Sequence, residues 1–283
     1  MAETTASRHT WFRKALVVPT EHGAWSWLLV PFLVGALVGS LAGQRAPFSG
    51  LALIFTLVGG LSAYMSRQPA TALARIRRGR GRKADESLAL GWTLGFGLVA
   101  ALCLLGLLAL GRTALAALIA PFALVLVMYL LASRSGRAAM RALSMELTGA
   151  IGLALMAPAA YIATTDTFDA IAWKLWVLLA LQNLLGVLYV RVRLADTHKR
   201  PAERRLMLGG HAAALLIVAA GAALAWWSWL MVVPFAGFLL RAGWTYTAPR
   251  AVLNVKRFGF TEVGVEITGG LLIVAGFLVS LGL

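Results

Sequence analysis

The hydrophobic positions of this chain fall in long unbroken runs, without the alternation of a half-buried strand or the three-to-four spacing of a half-buried helix. Nine of these runs approach the roughly 20 residues that a hydrocarbon crossing requires. They are Ala24 to Gly43, Phe48 to Met65, Leu88 to Leu110, Thr113 to Ala132, Met145 to Ala163, Ile171 to Tyr189, Leu206 to Trp226, Ser228 to Trp244 and Val263 to Gly282. The eighth is the weakest, being short, holding Pro234 and ending at Arg241. The pattern predicts an all-α polytopic membrane protein of nine transmembrane helices. It also predicts a single helical domain over residues 1–283, with residues 1–23 a basic cytoplasmic tail and interfacial segment. The first apolar run is too long for a signal-peptide core and reads as a true span.

The polar connections between the runs alternate in charge. The N-terminal tail, Arg67 to Lys83, Arg134 to Arg141, Arg191 to Arg205 and Arg241 to Arg257 hold every Lys and Arg except Arg45, Arg112 and Lys174. The positive-inside rule then sets the N-terminus in the cytoplasm, the C-terminus outside and the span count odd. Composition agrees: 60% of residues are hydrophobic and 13% charged, about half the charge of a soluble domain. The net charge of +15 resides in those basic connections and gives no reason to expect a nucleic acid partner. The expected surroundings are membrane lipids, with the basic connections on the cytoplasmic side. Cys103 is the only cysteine, so neither an internal disulfide nor a cysteine metal site is available. There is no HExxH, no phosphate-binding loop and no metal-ligand spacing among the histidines.

Candidate chemistry begins at Val17-Val18-Pro19-Thr20-Glu21-His22-Gly23-Ala24-Trp25-Ser26-Trp27, which opens the first span. Ionisable groups at the mouth of a span carry a desolvation cost, which makes Glu21 and His22 candidate catalytic groups. On residue types alone, a polar collar with a tryptophan belt is the stronger reading. Ser66-Arg67-Gln68-Pro69 follows the second span, and Tyr189-Val190-Arg191-Val192-Arg193-Leu194-Ala195-Asp196 follows the sixth. Arginine forks bind phosphate or carboxylate bidentately, so two such stretches facing each other would cradle an anionic head group. Most basic residues of these stretches need no such role, since topology and anionic lipids already call for them. Arg67, Arg191 and Arg193 differ because they abut helix ends. Gln68 beside them and Asp196 beyond them complete the candidate set.

Gln182 and Asn183 lie within an apolar run, where an amide is more often interhelical glue than cavity lining. Glu146, at the start of the fifth span, has either Arg141 or the Glu21–His22 pair as a partner. His211 reads as a hydrogen-bonded packing residue. Thr261 is a candidate N-cap for the last helix, which would place Glu262 in its first turn. Glu266, four residues deeper, has no such ordinary explanation.

Pro-Thr-Glu-His-Gly-Ala-Trp, followed by Leu28-Leu29-Val30-Pro31-Phe32-Leu33-Val34-Gly35, resembles the signature of the YwiC-like family of bacterial integral membrane proteins. Weaker likenesses continue through Ser66-Arg67-Gln68-Pro69 and Tyr189-Val190-Arg191 to Phe258-Gly259-Phe260-Thr261-Glu262. The layout also resembles the UbiA superfamily of intramembrane prenyltransferases. That resemblance implies nine helices, an inside N-terminus and two cytoplasmic Asp-rich motifs that hold magnesium and a prenyl diphosphate. Here the first motif position has no aspartate and the second keeps only Asp196. A conventional magnesium-dependent transfer is therefore not implied, and no metal ligand is assigned.

Three readings follow. The first is a UbiA-like transferase with a divergent site. It would act on a prenyl-type or other lipid-soluble substrate, with Glu21, His22 or Asp196 as acid or base. Arg67, Gln68, Asn183, Arg191, Arg193, Glu146 and Glu266 would line its site. The second is a non-catalytic binder of a lipid, quinone or pigment, or an accessory subunit. A transporter is third, because neither an internal repeat nor paired broken helices are visible.

Overall fold

Hydrophobicity marks where each helix meets lipid, but the helices themselves run on past that point. The computed structural model describes residues 12–18, 23–42, 46–135 and 142–283. Its helices are α1 (Lys14–Val17), α2 (Ala24–Leu41), α3 (Ser49–Ile76), α4 (Glu86–Ala109), α5 (Ile119–Ser135) and α6 (Leu143–Ala154), followed by α7 (Met156–Thr165), α8 (Ala170–Thr197), α9 (Arg204–Ala223), α10 (Val232–Tyr246) and α11 (Val255–Leu281). There is no strand among the described residues.

Seven helical stretches are long and apolar enough to cross a membrane, against the nine expected. One of the seven is α6 and α7 taken together, Leu143–Thr165, with a break at Leu155. The two that fall short are the apolar stretch Thr113–Tyr129 and the 15-residue α10. At 1.5 Å per residue α10 reaches about 22 Å, less than the roughly 30 Å of a hydrocarbon core.

The stretches read from sequence as connections after the second and sixth spans are largely helix. α3 continues through Arg67, Gln68 and Pro69 to Ile76, and α8 continues through Arg191, Arg193 and Asp196 to Thr197. Ala-Thr-Ala-Leu-Ala-Arg and Tyr-Val-Arg-Val-Arg-Leu end the hydropathy run without removing the preference for helix, since Ala, Leu and Arg are strong helix formers. The last helix also starts earlier than expected. Its N-cap is Asn254, whose Oδ1 accepts from Arg257 N at 2.9 Å. Thr261 instead sits inside α11 and donates to Arg257 O, so Glu262 lies beyond the first turn and needs another account.

The core lies around α7. Every residue from Met156 to Thr164 is buried, and the small side chains of Ala157, Ala159, Ala160 and Ala163 let neighbours close in. α2 approaches most closely through Gly35 and Gly39, one turn apart. A Cβ at Gly35 would stand 2.0 Å from Ala157 O, and one at Gly39 2.0 Å from Thr164 Oγ1. This small-xxx-small contact fixes α2 in the centre of the bundle, so the residues that open α2 are carried into the interior. By contrast, α4 keeps Leu94, Leu98, Leu102 and Leu105 exposed, as a lipid-facing helix does.

Candidate functional site

The polar groups inside the bundle follow from what α2 lacks. Pro31 has no N–H, so the Trp27 carbonyl one turn earlier has no partner within its own helix. Asn183 of α8 supplies one: its Nδ2 donates to Trp27 O at 3.0 Å and to Ala150 O of α6 at 3.1 Å. Asn183 is completely buried. Gln182, its neighbour, is also buried and turns the other way. Its Nε2 donates to Glu266 O at 2.9 Å and to Glu266 Oε2 at 2.7 Å on α11. Two adjacent amides thus tie α8 to α2, α6 and α11. Gly186, one turn on, leaves room for the result. A Cβ there would stand 2.8 Å from Glu266 Oε1 and 3.1 Å from Trp27 Nε1. The glue expected of Gln182 and Asn183 is what they provide, and Glu266 is part of it.

The other tryptophan of the opening motif points to a different wall. Trp25 meets Tyr64 of α3 edge to face, with centroids 5.4 Å apart. Tyr64 and Tyr129 flank the Arg67 guanidinium, whose carbon lies 5.3 Å and 4.9 Å from the two ring centres. Arg67 Nη1 donates to Tyr129 Oη at 2.9 Å. That hydroxyl also reaches Met145 O on the first turn of α6, at 3.4 Å, over Gly149. The next residue, Glu146, accepts from Arg191 Nη1 at 2.9 Å through Oε2. Arg67 through the Tyr129 hydroxyl, and Arg191 directly, thus reach adjacent residues on one turn of α6, although the two arginines are 124 positions apart in sequence. The Arg191 and Glu146 side chains are 39% and 40% exposed, so this ion pair stands at the rim of the bundle and not in its interior. An ion pair this exposed contributes little to stability.

The remaining candidates lie elsewhere. Gln68 donates to Ala15 O and ties α1 down. Arg193 turns away from Arg191, as the i, i+2 spacing on a helix requires. It donates to Tyr189 Oη at 2.7 Å and to Arg250 O at 2.9 Å. Asp196 pairs with Arg204 and accepts from Arg250 N at 2.8 Å, holding the segment before α11 against the ends of α8 and α9. Glu21 and His22 lie outside the described residues, as does Arg141.

Sequence reasoning overlooked Tyr64, Tyr129 and Arg241. Arg241 Nη1 donates to both oxygens of Glu262, each at 3.0 Å, while its guanidinium covers the Tyr189 ring at 3.8 Å. This is the account Glu262 needed. The available signal was an arginine embedded in an apolar run, with an acid at matching depth on the following helix. His211 is fully buried and donates through Nδ1 to Met207 O at 2.8 Å, in keeping with a packing role.

The described residues do not fit a magnesium–diphosphate centre. No group of three His, Cys, Asp or Glu side chains converges among them. Glu146, Asp196 and Glu262 each face an arginine. At the end of the apolar bundle stand two arginines, Arg67 between the Tyr64 and Tyr129 rings and Arg191 paired with Glu146.

These features define a multi-pass helical membrane protein with a buried amide clamp and an arginine rim. The family model described as YwiC-like protein matches residues 18–161, just over half of the chain, and the chain belongs to that family. The matched region contains the opening motif, Arg67, Tyr129 and Glu146; the clamp residues of α8 and α11 follow it. No curated protein and no solved structure matches the chain.

Proposed function

We propose that this chain is an intramembrane transferase of UbiA-like layout with a divergent site, acting on a lipid-soluble, prenyl-type substrate that carries an anionic head. The observation that carries this reading is the convergence of Arg67 and Arg191 on the first turn of α6. A planar guanidinium suits a phosphate, and two of them at the end of an apolar bundle supply charge neutralisation without a metal. The apolar tail would lie along the helices, with the head at the rim. In such a transfer the allylic C–O bond breaks and its electron pair leaves with the diphosphate. The acceptor's nucleophilic atom bonds to the allylic carbon, and its proton passes to a base. His22 or Glu21, which precede α2 in the sequence, are the groups proposed for that base, since a histidine is well matched to proton transfer near neutral pH. Asp196 holds its segment in place so that the rim keeps its shape.

In this reading the whole chain is one domain in the bacterial cytoplasmic membrane. Thr113–Tyr129 and α10 complete nine crossings by thinning the bilayer locally, with the N-terminus inside and the C-terminus outside. The charge bias of the connections supports that orientation. The test is release of diphosphate from a prenyl diphosphate in the presence of a bacterial lipid extract. His22→Ala and Glu21→Gln are each expected to reduce it at least tenfold with the fold intact. Unchanged release in both variants would remove the opening motif from the mechanism.

A second reading has its own support. The carboxylates of Glu146, Asp196, Glu262 and Glu266 all have partners, which suits a binder of a lipid, quinone or pigment better than an enzyme. It predicts an apolar molecule that co-purifies in stoichiometric amount and is chemically unchanged over time.

A further inference from the structure

The opposite end of the bundle carries a second polar feature that the proposed reaction does not use. Lys174 and Arg191 lie on the same helix, 17 residues apart, which at 1.5 Å per residue is about 26 Å. Beside Lys174 a cleft of about 570 Å³ opens between the start of α8, the α9–α10 turn and the end of α11. Lys174, Trp226, Trp227, Ser228, Trp229 and Ser280 are among the residues that line it.

The walls are built rather than incidental. Trp227 is buried and donates through Nε1 to Val218 O at 2.8 Å, and its ring fills the place of a side chain at Gly221. A Cβ at Gly221 would stand 2.2 Å from that ring. Ser228 N donates to Ser280 Oγ at 3.0 Å, which fastens the turn to α11. Trp226 and Trp229 remain 59% and 61% exposed at the mouth.

Lys174 has no ion-pair partner among the described residues. Asp169, the acid nearest in sequence, is fully engaged. Its Oδ1 accepts from Ile171 N and Ala172 N, and its Oδ2 accepts from Tyr161 Oη at 2.8 Å. Asp166 does not line the cleft. An ammonium set among tryptophans at a membrane interface, in a preformed cleft and without an acid, is complementary to a phosphate attached to an apolar body.

We propose that this cleft is a binding site for an anionic phospholipid of the leaflet opposite Arg191. The phosphate sits on the Lys174 ammonium, and the glycerol and first acyl carbons lie on Trp226 and Trp229. The occupant is a lipid and not a free phosphate, because the exposed indoles of Trp226 and Trp229 line the mouth beside Lys174.

The test is native mass spectrometry of the detergent-purified chain, titrated separately with dioleoyl phosphatidylglycerol, dioleoyl phosphatidylcholine and glycerol 1-phosphate. One saturable phosphatidylglycerol is expected, bound about tenfold more tightly than phosphatidylcholine, with glycerol 1-phosphate not retained. Lys174→Gln is expected to abolish the preference and Lys174→Arg to keep it. Trp226→Ala with Trp229→Ala is expected to weaken both lipids. Equal affinity for the two lipids in the wild type, or a preference that survives Lys174→Gln, would overturn the proposal. Retention of glycerol 1-phosphate as tightly as the lipid would overturn the choice of a lipid.

Discussion

Asn183 donates its side-chain amide to the backbone carbonyl of Trp27 at 3.0 Å, in place of the N–H that Pro31 lacks. The start of α2, which carries the most specific motif of the chain, is thereby positioned by a residue more than 150 positions away. A proline in a transmembrane helix is tolerated where a neighbouring helix satisfies the freed carbonyl, and here the neighbour is a single asparagine.

Asn183→Ala should therefore destabilise the protein by about 1–3 kcal/mol, since it strands the Trp27 carbonyl and removes the bond to Ala150. Pro31→Ala restores a donor within α2. The double variant is expected to recover part of the loss, seen as positive coupling in thermal melts in detergent. Strictly additive effects would mean that the two residues do not share this carbonyl.

The contact between α2 and α7 makes a sharper stability prediction. Gly35→Ala places a methyl 2.0 Å from the Ala157 carbonyl, a backbone atom that cannot swing aside. Overpacking of this kind costs about 1–3 kcal/mol or more. Gly91→Ala and Gly95→Ala on the lipid-facing α4 meet nothing within 4 Å and should be nearly neutral. Unfolding midpoints of the three variants in mixed micelles check the contrast.

The pair between Arg241 and Glu262 is largely buried, with side-chain exposures of 20% and 15%. Removing one member leaves the other unpaired, so Arg241→Met should cost about 3–5 kcal/mol. Arg241→Met with Glu262→Met removes both charges together and should recover most of that loss. If the double variant is no more stable than the single, the pair is not what holds α10 to α11.

The all-helical membrane class could be read directly from the apolar runs, because lipid permits little else. The span count was harder. The run from Ser228 to Trp244 yields only the 15-residue α10, because Ser228 caps a short 3-10 turn over Trp229–Met231 before the α-helix begins at Val232. Hydropathy also ends where charge begins, so Arg67 and Arg191 read as residues of connections when they sit on continuous helices. The site was half legible. Both arginines stood out as charges beside helix ends, and Gln182 and Asn183 as amides in an apolar run. Tyr64 and Tyr129, which position Arg67, carried no signal, because an aromatic residue in an apolar run looks like any other. The separation of Arg191 from Arg193 depends on the helix continuing past Tyr189, which the charge pattern concealed.

The role proposed for Arg67 and Arg191 is to hold an anionic head group together at the first turn of α6. Its most direct measurement is a native mass spectrometry titration with geranylgeranyl diphosphate, with and without chelator, on the wild type, Arg67→Ala and Arg191→Ala. Saturable binding unaffected by chelator, and weakened about tenfold or more in each variant, is the predicted result; each lost charge-assisted contact then accounts for about 1.5–3 kcal/mol. Binding that disappears with chelator, or that survives both substitutions, would contradict it.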